Sequence, residues 1–207
     1  MVDWLVGGAR TARQTQDVLA ELCDRLLACG VPLHRVAVFV PTLHPDVMGR
    51  RFLWRRGEGV AVTEANYDML ESETYRRSPV RSVYATGEPI RLRIEAPDCP
   101  QDYGIFEELR AEGVTDYLIQ PLPFTSGEVR AVSWTTMRPG GFTGADLAAL
   151  EAVRRPLARL AEIYALRRTA TTLLDTYVGR HAGQRIMRGR IRRGDIERIA
   201  AVIMLTD

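Results

Sequence analysis

Residues 78–93, SPVRSVYATGEPIRLR, and residues 106–124, FEELRAEGVTDYLIQPLPF, decide the fold class. The first stretch reads as a short helix over 79–86 stopped by Gly87, then a strand from Ile90 to Ile94. The second reads as a helix from Phe106 to Ala111 ended by Gly113, then a strand from Tyr117 to Leu122. Glycine just past a helix is a stop signal because it enters the left-handed conformation without a Cβ clash. Residues 95–104, with Pro97, Asp98, Cys99 and Pro100, form a loop between the two stretches. A further strand, Val129 to Met137, follows through Thr125-Ser126-Gly127, a hairpin turn signal. Short helices interleaved with hairpin-linked strands predict an α+β fold with an antiparallel sheet.

Towards the N-terminus, Val18, Leu19, Leu22, Leu26 and Leu27 recur at helical spacing over residues 14–29, and Gly30 and Pro32 end that helix. Arg35 to Val40 is a short β-branched run and reads as a buried strand. Phe52-Leu53-Trp54 reads as its neighbour, closed by Gly57-Glu58-Gly59, while residues 61–78 are polar and show no clear period.

Towards the C-terminus, Arg138-Pro139-Gly140-Gly141 breaks the chain, and Thr143 with Asp146 then opens a helix as a capping box. Leu150, Val153, Leu157, Leu160, Tyr164, Arg167, Thr171, Leu174 and Val178 keep a three-four spacing. Seven of these nine are apolar, which supports a two-stranded coiled-coil seam weakened at Arg167 and Thr171. A core-packing helix would carry the same stripe, and its length favours a dimerising linker. Pro156 lacks an N–H and crowds the preceding turn, so it is expected to kink or restart the helix.

The chain has 207 residues with 46% hydrophobic and 26% charged, a globular composition that excludes collagen-like, disordered and disulfide-scaffold classes. At this length a chain buries roughly 70% of its unfolded surface. All 28 of its basic residues are Arg. Without lysine these residues hold no phosphate-loop lysine and no Schiff-base or pyridoxal-phosphate chemistry. The net charge of +2 hides a partition: residues 1–150 carry 16 Arg against 20 acids, and residues 151–207 carry 12 Arg against 6 acids. Cys23, Cys29 and Cys99 have no metal-like spacing and read as reduced thiols. No apolar run approaches the ~20 residues that span a bilayer, and Met1-Val2-Asp3-Trp4 does not open a signal peptide. A cytoplasmic protein without membrane contact is therefore expected.

Two stretches resemble known families. The step TGEPI into a strand, the helix ended by Gly113, the strand closing at Pro121-Leu122 and the later GGFTGADLAALEAV resemble a GAF domain over about residues 14–165. That resemblance implies an antiparallel sheet flanked by helices and a role as a small-molecule sensor and dimerisation module. Residues 173–207, LLDTYVGRHAGQRIMRGRIRRGDIERIAAVIMLTD, are similar to the opening of the catalytic domain of class III adenylate cyclases. There a helical linker ends at a Tyr-Val-Gly-like step, and a Gly-x-Ile-x-Arg-Gly segment leads into the first strand. By this resemblance Asp207 is the first of two Mg²⁺-binding aspartates, and the other catalytic positions of the family have no counterpart in these residues. The apolar run Ile199–Leu205 reads as a strand cut inside a second domain. The expected organisation is a GAF-like sensor over 1–142, a linker helix over 143–179 and the beginning of a cyclase domain over 180–207. No cyclase activity is expected of the chain alone; Mg²⁺ would belong to the complete parent, and no cofactor to this fragment.

Trp54, Tyr117 and Trp134 are the aromatic side chains on expected strands and the candidate lining of a ligand pocket, although most such residues are core. The cyclic-nucleotide signature Asn-Lys-Phe-Asp of some GAF domains is absent. His34, His44 and His181 are scattered and read as structural or exposed. Cys99 sits in DCPQDY, which does not match a bilin-attachment motif. The arginine group Arg185, Arg188, Arg190, Arg192, Arg193 and Arg198 lacks interleaved aromatics, so a solvated basic hinge is expected rather than a nucleic-acid grip. Arg193-Gly194-Asp195 is expected to be a tight turn.

The resulting expectation is a homodimer through Leu150, Val153, Leu157, Leu160, Tyr164, Leu174 and Val178, with an unidentified small-molecule ligand. The rival expectations are a non-enzymatic binding module and a nucleic-acid-linked regulator.

Overall fold

The computed structural model describes residues 1–12, 14–41, 47–100, 102–190, 202 and 204. Asp207, the strand expected over 199–205 save Val202 and Met204, which are exposed and not assigned to a strand, His44, the tripeptide at 193–195 and Arg192, Arg193 and Arg198 lie outside the described residues. Two compact units are present, Met1–Arg168 and Thr169–Asp207.

The first unit begins with α1 (Val2–Val6) and α2 (Thr15–Ala28), followed by strands β1 (Arg35–Pro41), β2 (Gly49–Arg55) and β3 (Gly59–Ala65). After a 3₁₀ turn at Tyr67–Glu71 come α3 (Glu73–Arg76), α4 (Pro79–Thr86), β4 (Ile90–Arg93), α5 (Phe106–Ala111), β5 (Asp116–Pro123) and β6 (Val129–Thr136). Helix α6 (Gly144–Val178) opens in this unit, and α7 (Arg180–Met187) belongs to the second. The six strands form one sheet in the order β3-β2-β1-β6-β5-β4, with every neighbouring pair antiparallel.

Strand alternation divides the core into two layers. Val36 and Val38 of β1, Trp54 of β2, Leu118 and Leu122 of β5, and Val132 and Trp134 of β6 pack against α1, α2 and α6. The intervening Tyr117, Ile119 and Ala131 join Val80 and Val83 of α4 and Phe106 and Leu109 of α5 in the other layer. The helical stops hold as read: Gly87 and Gly113 have φ of 70° and 76°. So does the capping box, in which Asp146 accepts from the Thr143 backbone N–H at 2.7 Å and from its hydroxyl at 2.6 Å.

Four features differ from the sequence reading. Strand β3 lies where no period was visible, because an edge strand exposed along most of its length carries no inward–outward contrast. Pro156 sits inside a continuous α6, so of the expected kink or restart the restart does not occur. Residues 180–187 are helical rather than hinge-like. Lastly, Leu150, Val153, Leu157 and Leu160 of the expected dimer seam are at most 5% exposed within the core of one protomer, and Tyr164 packs against them. The sheet already occupies this stripe, so those side chains are not available to a second copy.

The second unit holds the end of α6 and α7. A Cβ added at Gly183 would lie 2.9 Å from Asp175 Oδ1 and 3.1 Å from the Leu174 Cβ, so α7 runs close against that helix end.

Candidate ligand cavity between α2, α6 and the β1–β3 strands

One face of the sheet is incompletely filled. Val38 and Val40 of β1, Phe52 of β2 and Val62 of β3 point from the strands towards the start of α2 and the middle of α6. There Val18 and Leu19 face Leu157, Leu160, Ala161, Tyr164 and Ala165 across a cavity of about 570 Å³. Ala161 and Ala165 are one turn apart, and their small side chains leave room that a leucine at either place would take. The volume falls within the range of small-molecule sites.

Polar groups gather at the mouth: Gln14, Thr15, Gln16, Arg50, Glu64 and Arg168. Arg50 and Glu64 are cross-strand partners on β2 and β3 and form an ion pair there. That pair uses one Nη of Arg50, whereas Arg50 Nε is buried without a hydrogen-bond partner. The start of α2 is already capped by the Asp17 carboxylate, which accepts from the Gln14 N–H at 2.9 Å.

Helix α6 is tied to β5, β6 and the turn between them by a chain of polar contacts. Trp134 Nε1 donates to Gln120 Oε1 at 2.9 Å, and Gln120 Nε2 donates to Glu151 at 3.1 Å. Arg154 holds the same carboxylate and donates to the Pro121 carbonyl at 3.1 Å. Farther along, Glu162 accepts from the Thr125 N–H at 2.8 Å, and Arg159 reaches the Pro123 carbonyl. Burial of Glu162 acts to raise its pKa, but the Thr125 hydrogen bonds and Arg159 outweigh it and hold the carboxyl below its ordinary range.

The three aromatic candidates do not converge. Trp54 and Trp134 are buried on the α2/α6 side, Tyr117 is buried on the α4/α5 side, and none lines the cavity. Burial pushes the Tyr117 phenol up, only partly offset by Ser133, which suits a core residue. Period-two alternation separates Tyr117 from Trp134, but it is visible only once the register is known. Arg50, Phe52, Val62 and Glu64 were missed for the same reason: their shared face depends on pairing β2 with β3.

The opposite layer contains a charged cluster that fastens α5 to the sheet. The buried Arg35 guanidinium pairs with Glu108 at 2.7 Å and Glu112 at 3.2 Å, and Arg55 meets Glu112 at 3.1 Å. His34 Nε2 lies 3.5 Å from Glu112, while His181 is exposed. Cys23 and Cys99 are buried and Cys29 is exposed. Among the described residues no three His, Cys, Asp or Glu side chains come together as a metal site, and no helix is long and apolar enough to cross a membrane.

No known family profile matches the chain, and no curated protein matches it. Solved structures do. The GAF domain of a two-component sensor histidine kinase from Bacillus halodurans aligns with a TM-score of 0.54 at 15% identity, covering 75% of this chain and 99% of that one. A phycoerythrobilin-bound GAF domain from a cyanobacterial phytochrome gives 0.53 at 15% identity, covering 80% and 95%. The GAF domain of a phosphoenolpyruvate-protein phosphotransferase from Coxiella burnetii gives 0.52 at 20% identity, covering 80% and 92%. At these identities the likeness speaks to architecture, and the architecture is that of a GAF domain: a six-stranded antiparallel sheet between helices, with a long C-terminal helix.

Proposed function

We propose that this chain is the small-molecule sensor and dimerisation region of a class III adenylate cyclase. The observation that carries the sensor reading is that α6 supplies Leu157, Leu160, Ala161, Tyr164, Ala165 and Arg168 to the cavity wall. A ligand seated there touches the helix that leads out of the domain, and it regulates if it binds one arrangement of that helix better than another.

The cyclase reading rests on the resemblance of residues 173–207. The parent reaction is then conversion of ATP to 3′,5′-cyclic AMP and diphosphate; by the resemblance Asp207 would be one ligand of Mg²⁺, which would supply charge stabilisation. The resemblance reaches only one of that family's two metal-binding aspartates.

A second copy is the proposed dimer partner. Because the Leu150–Leu160 stripe is occupied by the chain's own sheet, the contact falls to other positions on α6. Ile163 and Leu166 are 59% and 63% exposed, and Leu173 and Tyr177 are 40% and 82% exposed. With Ala170 they keep a three-four spacing that suits helix pairing.

The sensor reading is tested by native mass spectrometry and thermal shift of the purified chain against a metabolite panel, with Ala161→Trp to fill the cavity. A ligand that binds the wild type and not the variant supports it; binding unaffected by Ala161→Trp overturns the site. Fusing the chain upstream of a class III catalytic domain tests regulation. A cAMP-forming rate that stays constant when the ligand is bound overturns the regulatory reading, and cAMP formation by the chain alone overturns the incomplete site.

A further inference from the structure

We infer that the cavity takes an amphiphilic monocarboxylic acid: an apolar body against the α2, α6 and strand side chains, and one carboxylate at Arg50 and Arg168. This rests on the reading of the cavity as the sensor pocket and assigns the class of molecule it binds.

Three observations point to that class. The interior wall is apolar on every side, from Val38, Phe52 and Val62 on the strands to Leu19, Leu157 and Leu160 on the helices. Among the described residues the charged groups at the mouth are two guanidinium groups and one carboxylate, and Glu64 is already engaged by Arg50. Among these described groups one positive charge is therefore left for a ligand. Finally, Arg50 Nε is a buried N–H donor with no acceptor. A buried donor is normally satisfied, and a turn of the guanidinium towards a carboxylate at the mouth would complete it with a charge-assisted hydrogen bond. Arg168 stands on the α6 side of the same mouth and offers a second donor set. A sugar or nucleotide fits this wall poorly, since its ring hydroxyls and base edges would enter a region where, besides the Tyr164 hydroxyl, the polar side chains sit at the rim.

The test uses the full chain with three probes of equal length: decanoate, decan-1-ol and decyltrimethylammonium, titrated by calorimetry below their micelle concentrations. Decanoate is expected to bind about tenfold or more tightly than decanol, and the ammonium probe more weakly than either. In Arg50→Gln the acid-over-alcohol preference is expected to fall to within about threefold while decanol affinity persists. Arg168→Gln makes the same comparison if Arg50→Gln does not fold, and Ala161→Phe is expected to abolish binding of all three. Decanol binding as tightly as decanoate overturns the acid assignment and leaves the pocket standing. Failure of every probe to bind overturns the acid assignment together with this pocket as an apolar site. Decanoate binding that survives Ala161→Phe places the acid elsewhere and also overturns it.

Discussion

The buried carboxylate of Asp116 occupies the space that a side chain at position 141 would need. A Cβ built on Gly141 would fall 2.8 Å from the Asp116 Cβ and 2.9 Å from its Cγ. Gly141 also has a φ of 72°, so both its conformation and its lack of a side chain are required. Asp116 in turn pairs with Arg91 at 2.6 Å and accepts from the Phe142 N–H at 2.9 Å. This cluster sets the point from which the chain enters α6. Gly141→Ala is expected to destabilise the protein by roughly 2–4 kcal/mol in urea unfolding. Gly140→Ala, with φ of 82° but nothing within 4 Å, should cost only about 1 kcal/mol.

Removing one partner of the Arg91–Asp116 pair leaves a fully buried carboxylate facing the Phe142 amide alone. Arg91→Met is expected to cost about 3 kcal/mol, far more than Arg93→Met, whose partner Glu95 is partly exposed. Equal losses for the two variants in chemical denaturation would contradict this placement.

The reassignment of the α6 stripes predicts opposite phenotypes for two leucines nine residues apart. Leu157→Ala is expected to lower monomer stability by about 2–4 kcal/mol, because it opens the core. Leu166→Ala should change it by less than about 0.5 kcal/mol, since that side chain is 63% exposed. If the proposed dimer forms, Leu166→Glu shifts sedimentation towards monomer while leaving the thermal melt of dilute protein unchanged. A melt that collapses in Leu166→Glu would place that residue in the core instead.

Acid should weaken the start of α6. Burial acts to raise the Asp146 pKa, but hydrogen bonds from the Thr143 hydroxyl and backbone, together with Arg138, hold it below its ordinary value of 3.8. A carboxyl whose folded pKa is depressed adds stability above its unfolded pKa and loses it as pH falls through the folded one. The contribution is therefore complete above about pH 5 and is lost progressively as pH falls below about 4. Asp146→Asn is expected to be less stable than wild type at pH 7, with the gap narrowing as pH falls below about 4 in parallel urea titrations.

Thiol reactivity should follow burial. Cys29 is exposed, whereas desolvation pushes the buried Cys23 thiol well up. Alkylation of native protein followed by mass mapping is expected to label Cys29 first, and Cys23 only with denaturant present. Prompt native labelling of Cys23 would show that the α2 layer opens easily.

Local chemistry alone determined most of the elements. Gly87 and Gly113 end their helices, Thr143 with Asp146 opens α6, and Thr125–Gly127 turns β5 into β6, because each acts on its own few residues. The sheet order, the face to which each strand residue points and the exposed side of α6 depended on contacts far apart in sequence. The three-four spacing of Leu150, Val153, Leu157 and Leu160 suits a partner helix as well as a sheet, since an apolar stripe shows that something covers it without showing what. Only the burial of that stripe in one cluster with side chains of β1, β2, β5 and β6 decided for the sheet. The cavity was decided in the same way. Arg50 and Glu64 are fourteen residues apart, and they meet at one mouth only because β2 and β3 pair in the register that sets them opposite each other.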